Sequence, residues 1–407
     1  MSTNTVTTPT LKSAASDYWA RVKSGDIGSL PAVLGLIALC GVFTGMSDVF
    51  LTAGNFANLL TQAASVIVIA MGLIFVLLLG EIDLSAGFAS GVTGAVLVLL
   101  ITNHDWPWYA ALLASIAVGA VMGTVLGTLV ARIGIPSFVV TLAAFLAFQG
   151  ILLLLAGEGG TIRIDDPTIL AVQNNNLPVS WSWIFFLGAG GMYVLSGLNK
   201  INQRRKAGLK TELKSLWVIK TVGLLVISAV GVWALTLERS SNPALVSLKG
   251  IPIVVPVILG ILVVGTFVLG RTAYGRHIYA VGGNAEAARR AGINVKNIRT
   301  SAFIICSSLS AIAGMLFASR QNSISPTTGG SSTLLYAVGA AVIGGTSLFG
   351  GKGKLRDAIL GGLVVAVIDN GMGLLGYAAG IKFIVTGLVL LVSAGVDALS
   401  RRGSTSN

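Results

Sequence analysis

Long runs of apolar residues recur twelve times along the chain, near 30–46, 61–79, 85–101, 109–131, 136–156, 183–198, 216–237, 252–270, 301–318, 334–350, 358–376 and 383–397. A water-soluble fold has no use for such repetition. In a bilayer, a helix that satisfies its own backbone groups needs about 20 apolar residues to cross about 30 Å of hydrocarbon, and this sequence supplies that segment again and again. Of 407 residues, 54% are hydrophobic and 10% charged, with a mean hydropathy of +0.87, too little polar surface to coat a globule of this size. The expectation is an all-α polytopic membrane protein with about twelve transmembrane helices. Gly80-Glu81-Ile82-Asp83 interrupts the apolar stretch from 61 to 101 and the run at 183–198 is short, so the span count runs from ten to twelve.

Charge sets the orientation. Lysine and arginine collect in cytoplasmic segments of membrane proteins. With both termini inside, of the 27 lysines and arginines only Arg163, Arg239, Lys249, Arg320 and Lys382 fall outside. The same residues account for the net charge of +12 by facing anionic headgroups, without invoking nucleic acid. The basic stretch 200–214 also lacks the interleaved aromatic residues of a nucleic-acid groove. The expected layout is a cytoplasmic segment 1–29, a transmembrane domain 30–397 and a cytoplasmic tail 398–407. The first 29 residues are polar and carry Lys12, Arg21 and Lys23 with no short apolar core before a cleavage site, so a removable signal peptide is not expected and the first span is kept. Gly87, Gly91, Gly94, Gly361 and Gly362 lie inside apolar runs, where small residues let helices approach closely. Cys40 and Cys306 fall within spans, behave there as small hydrophobes and carry no information about redox compartment.

The connection from Arg271 to Thr300, RTAYGRHIYAVGGNAEAARRAGINVKNIRT, is long and polar in a chain whose other connections are mostly short. A Gly282-Gly283-Asn284 turn leads into a helix-forming stretch, Ala285 to Ala291, with an acidic first turn, stopped by Gly292. Such a helix, lying along the membrane surface, suits docking onto a soluble partner; a solvated basic connector is the plainer reading.

Glu286-Ala287-Ala288 followed by Gly292 resembles the E-A-A-x-x-x-G coupling loop of binding-protein-dependent ABC importers, and GRHIYAVGGNAEAARRAGINV is similar to the version in ribose, arabinose and xylose permeases. Gly80-Glu81-Ile82-Asp83-Leu84-Ser85, the stretch Ile135 to Leu142 that contains Thr141, and VIGGTSLFGGKG at 342–353 extend the resemblance over about 50–160 and 250–400. Family members often carry Arg-Gly where this chain has Gln149-Gly150, and the region 160–250 adds a helix pair and a basic cytoplasmic loop, 199–215, to the ten-span plan, as in D-xylose permeases. The resemblance implies a homodimeric permease in the bacterial plasma membrane, fed by an extracytoplasmic sugar-binding protein and driven by an ABC ATPase subunit that binds the ATP. It places Gly275, Arg276, Gly282, Gly283, Asn284, Glu286, Ala287, Ala288 and Gly292 at the ATPase contact. No cofactor is expected on this chain.

Glu81 and Asp83 sit beside two apolar spans, where a charge is expensive unless solvated or paired. With Ser85 and Thr141 they either line the path or pin a re-entrant break by accepting backbone N–H bonds; a wet surface turn is the bland alternative. Asp369-Asn370 falls near the middle of its run and is expected to face the bundle interior, as path residues or as interhelical hydrogen-bonding partners. Asp397 is expected to pair with Arg401 and Arg402. The glycine-rich 344–353 fails the phosphate-loop pattern, since the residue five before Gly351 is Thr346 and Lys352 is followed by glycine. His104 and His277 lie far apart, so neither a metal site nor nucleophilic catalysis is expected, and a membrane enzyme is the least favoured class. Two other classes stay open. One is an ion-coupled secondary transporter using Glu81, Asp83 and Asp369 as a relay; the other is an ABC permease for a nucleoside or branched-chain amino acid.

Overall fold

A computed structural model describes residues 29–404 except 158–159, 209–213 and 245. The readings made of Lys12, Arg21, Lys23 and Lys210, and of the side chains of Asp397, Arg401 and Arg402, lie outside the described residues. The chain runs α1 (Leu30–Met46), α2 (Ala53–Leu77), α3 (Ala86–His104), α4 (Trp108–Thr128) continued by a π-helical turn at Leu129–Ile133, and α5 (Ser137–Ala156). Then come β1 (Ile162–Arg163), α6 (Pro167–Asn174), α7 (Val179–Lys206), α8 (Lys214–Thr236), α9 (Val254–Arg271), α10 (Ala273–Gly283) and α11 (Ala285–Arg290). The last elements are α12 (Val295–Gln321), β2 (Ser323–Ile324), α13 (Ser331–Ile343), α14 (Leu355–Leu374) and α15 (Ala379–Ser404).

Every expected apolar run contains a helix, and among the described residues nine helices are long and apolar enough to cross a membrane, with α1, α13 and the Ala379–Val392 part of α15 shorter. Several boundaries move. The second run begins at Ala53 rather than 61, because the polar residues Asn55 and Asn58 are drawn into the helix by partners described below. The tenth stops at Ile343, where Gly345, Gly350, Gly351 and Gly353 take up positive φ. The short run at 183–198 is the middle of a 28-residue helix, α7.

The described chain separates into two compact units, one containing Asn176–Ile251 and the other Gly28–Asn175 with Pro252–Asp397. In the larger unit α2 is central: it packs against α12, α13, α14 and α9, and 78% of its most apolar window is buried. Helix α12 packs against α2, α3 and α4. Its contact with α4 is set by Gly119, Gly123 and Gly127, one turn apart. A Cβ at Gly119 would stand 2.6 Å from the Ser307 carbonyl oxygen, one at Gly127 would stand 2.6 Å from Thr300 Cα, and one at Gly123 would strike the Phe303 carbonyl. With little hydrophobic gain available between helices in lipid, this backbone-to-backbone approach supplies the dispersion contact. Gly87, Gly91 and Gly94 of α3 play the same part against Gly329, Thr328 and Gly314, and Gly361 and Gly362 of α14 against Ala340 and Ile67.

The smaller unit is the α7–α8 pair and the loop after it. Ile251 accepts from the Leu177 N–H at 2.8 Å and donates to Ser182 Oγ at 3.0 Å, and the Gly250 N–H donates to the Leu235 carbonyl at 2.7 Å. Only 6% of the most apolar α7 window is buried within the protein, so its apolar faces are available to lipid. The segment 160–175, read from sequence as part of the added region, packs on the larger unit. There β1 pairs antiparallel with β2 (Ile162 opposite Ile324, Arg163 opposite Ser323), and the Gln173 N–H and Asn174 Nδ2 bind Ser319 Oγ and O at 3.0 and 2.8 Å.

Candidate functional site

Three constellations emerge along α2. The first surrounds its Leu77 end. The 271–300 connection is helical rather than an extended loop: α10 fills its first half, and Gly282-Gly283, expected in a turn, close that helix. Tyr274, Ile278 and Val281, at helical spacing, turn inward, and Thr272 caps the helix by accepting the Gly275 N–H at 3.2 Å. The glycines in α10 mask this signal in the sequence, and the packing explains two of them. A side chain at Gly275 would collide with the Leu269 carbonyl, and one at Gly282 with the Leu78 carbonyl.

Helix α11 is built cap to cap. Asn284 Oδ1 accepts the Ala287 N–H at 2.9 Å. Glu286 sits in the first turn, where the helix dipole favours an acid, and binds Arg289 and Arg290 at 2.9 and 3.2 Å; these hydrogen bonds, Arg289 first, lower its pKa. Ala288 is buried. Gly292 at φ +84 lets its own N–H reach the Arg289 carbonyl and the Ile293 N–H reach the Ala288 carbonyl, the two bonds of a left-handed helix stop. Gly283, Arg276, Glu286 and Ala287 face outward, with Arg276 exposed.

The same end holds the helix break between α2 and α3. Three of its freed backbone groups find protein partners: the Leu78 carbonyl accepts the Gly351 N–H at 2.8 Å, the Ile82 N–H donates to Ser137 Oγ at 3.3 Å, and the Ile82 carbonyl accepts from Thr141 Oγ at 3.2 Å. Asp83 is fully buried; its Oδ1 accepts the Ser85 N–H at 2.9 Å and the Ser85 hydroxyl at 2.6 Å, starting α3, while Oδ2 has no hydrogen-bond partner among the described residues and the Cys306 thiol lies beside the carboxyl group. Glu81 pairs with Arg299 of α12 at 3.2 Å, with side chains 14% and 32% exposed. Asp83 and Ser85 bind each other and Thr141 binds the intervening backbone at Ile82, while Asp369 and Asn370 lie elsewhere; the partner of Glu81, Arg299, was not foreseen. Tyr279 donates to the Gly353 carbonyl at 2.8 Å, fastening α10 to the 344–354 loop.

The third constellation lies along the Ala53 half of α2, from Asn55 to Gln62, about 22 to 33 Å from Leu77 along the helix. Asp369 is not mid-helix: it stands five residues before the last residue of α14, because that helix starts at Leu355 and ends at Leu374. Its carboxylate pairs with Lys382 of α15 at 3.6 Å and accepts from Gln62 Nε2. Asn370 and Asn55 exchange two hydrogen bonds of 2.9 Å, and Arg320 binds Thr61 at 2.8 Å and Asn58 at 3.2 Å. No group of three or more metal-ligating side chains occurs among the described residues.

A bundle of membrane-length apolar helices with a polar helix break and a capped helical pair in one connection is the architecture of a multi-pass membrane protein, and its relatives place it among the permeases of the plasma membrane. The chain belongs to the family described as branched-chain amino acid transport system / permease component, whose profile matches residues 55–394. It is 34% identical to the xylose transport system permease protein of Escherichia coli (strain K12) over 392 residues, 96% of each chain. It is 32% identical to the Haemophilus influenzae protein of the same name over 383 residues, 94% of this chain and 99% of that one. The ribose import permease protein of Escherichia coli (strain K12) is 28% identical over 366 residues, covering 90% of this chain and 92% of the relative. No solved structure matches.

Proposed function

We propose that the chain is the membrane-spanning permease subunit of an ATP-driven ABC importer that carries a monosaccharide, D-xylose, into the cell. A dimer of this subunit forms the path, with twelve spans per chain and both termini cytoplasmic. An extracytoplasmic binding protein delivers the sugar, and ATPase subunits grip α10 and α11 from inside. The observation that carries the reading is α11: six residues closed by a cap at each end, an outward Glu286 and a mounting at Gly282 against the bundle backbone. Its relatives' xylose and ribose names favour a sugar over the amino acid in the family's description.

In this scheme Asn284, Glu286, Ala287, Ala288 and Gly292 shape the docking helix, and Gly275, Arg276, Gly282 and Gly283 carry and flank it. Glu81, Asp83, Ser85 and Thr141 hold the helix break. The dispersal of the carboxylates argues against an ion relay: Glu81 and Asp369 each have a cationic partner, and Asp83 and Asp369 lie near opposite ends of α2. The test is uptake of labelled D-xylose by vesicles holding this chain with and without its ATPase and binding protein. Uptake requiring both partners and internal ATP is the expected result. Uptake by this chain alone on an ion gradient would replace the reading with secondary transport.

A further inference from the structure

The polar constellation at the Ala53 end of α2 is too elaborate for a fastening alone. Four helices contribute to it: Gln62 from α2, Arg320 from α12, Asp369 and Asn370 from α14, and Lys382 from α15. The Asp369 and Lys382 side chains remain 28% and 22% exposed. An ion pair open to hydrocarbon would cost several kcal/mol, so the face that exposes it is wet. On the orientation proposed above this is the outer face, and Asp369 stands about 7.5 Å below the end of its helix. Beside the pair, Tyr336 packs on Phe383 with ring centroids 6.3 Å apart, and the Phe383 ring is half exposed.

We propose that this cluster is the first station of the permease for its solute, a neutral polyhydroxylated sugar taken over from the binding protein at the outer mouth. The rationale is chemical matching and rests on the sugar-importer reading. Vicinal hydroxyls offer paired donors and acceptors. Asp369 and the partly exposed Gln62 amide answer them with acceptors and donors and Lys382 adds a donor, while the buried Asn370–Asn55 pair braces the cluster from behind. A carboxylate–hydroxyl bond is charge-assisted and outlasts a neutral one. The aromatic pair offers an apolar face for the C–H side of the ring. Asp369 and Lys382 offset each other's charge, and Arg320, held by Thr61 and Asn58, is the cluster's remaining cation.

The experiment uses the whole importer in proteoliposomes, with labelled D-xylose and D-ribose uptake and ATP hydrolysis followed together for the wild type, Asp369→Asn, Gln62→Leu and Lys382→Met. The expected result is at least a tenfold fall in sugar carried per ATP for Asp369→Asn, a smaller fall for the other two and a changed xylose-to-ribose ratio, with assembled permease and ATP hydrolysis held near wild type. A purely structural cluster moves differently: ATP hydrolysis falls in step with uptake and the sugar ratio stays fixed, which would overturn the proposal, as would unchanged uptake. Should Asp369→Asn fail to assemble, the double variant with Lys382→Met, which removes both charges, gives the same readout. A wild-type complex that carries no sugar overturns the importer reading itself, whereas a wild type that carries xylose beside variants that carry it equally well overturns this site alone.

Discussion

The Glu81–Arg299 pair joins the helix break to the start of α12, and its removal has a calculable consequence. The charged atoms are 3.2 Å apart, with the carboxylate side chain 14% and the guanidinium side chain 32% exposed. Removing one partner of a fully buried pair costs about 3–5 kcal/mol, because the other charge stays desolvated and uncompensated. The exposure of Arg299 lets water screen the survivor, so each single change, Glu81→Gln or Arg299→Gln, should cost about 1–3 kcal/mol. In a chain of this size 1 kcal/mol moves the melting midpoint by about 2 °C, so drops of about 2–6 °C are expected for the purified permease. The double variant should lose little more than the worse single, giving a coupling of about 1–2 kcal/mol in a double-mutant cycle, and the charge exchange Glu81→Arg with Arg299→Glu should recover part of the loss. Additive effects, with a cycle term under about 0.5 kcal/mol, would show that the two side chains are neighbours without being partners and would refute the reasoning.

Gly123→Leu should cost at least about 1–3 kcal/mol by forcing α4 off α12, read as a lower melting midpoint, while Gly260→Ala, whose Cβ meets nothing within 4 Å, should leave it unchanged. Gly292→Val requires a β-branched residue at φ +84 and should fray α11; ATP hydrolysis by the assembled importer should then lose its dependence on sugar delivery while the permease still inserts, and intact coupling would count against docking. Glu238, outside the spans, accepts N–H bonds from Leu248, Ser240 and Arg239 and the Ser247 hydroxyl, which hold its pKa down to about 2 from 4.5. A depressed acid stabilises the fold above its unfolded pKa and loses that contribution as it protonates, so the 238–248 loop should gain hydrogen exchange between pH 4.5 and pH 2 beyond the intrinsic change, and Glu238→Gln should flatten that dependence.

The helices were legible because period and length are overdetermined in a chain written for lipid: each apolar run is long, and a helix is the one element that can fill it with every backbone group satisfied. Helix ends were less legible where polar residues extend a span. Asn55 and Asn58 fall before the apolar run that begins at 61, yet they and Gln62 point at partners that arrive from about 260 to 315 residues further along the chain, and nothing local announces them. The misplacement of Asp369 has the same origin, since hydropathy alone ran its span from 358 to 376 and thereby centred a residue that stands five residues before the end of its helix. The E-A-A-x-x-x-G spacing was visible as a motif and has a local physical content: first-turn acid, cap recipient, buried alanine, left-handed stop. Helix α10 was hidden because glycines at 275, 282 and 283 lower helix propensity while serving contacts that exist only in the folded bundle.

Those contacts also decide how movement at α10 and α11 would reach the interior. The Leu78 carbonyl faces Gly282 of α10 and accepts the Gly351 N–H from the 344–354 loop, so one peptide group is shared by three segments. A few residues on, Glu81 is held by α12, the Ile82 backbone by Ser137 and Thr141 of α5, and the Ser85 N–H by Asp83. An unpaired backbone group inside the membrane costs several kcal/mol. A displacement of α10 therefore cannot be absorbed by breaking one hydrogen bond at the break; it must carry the neighbouring segments with it or exchange one complete set of partners for another.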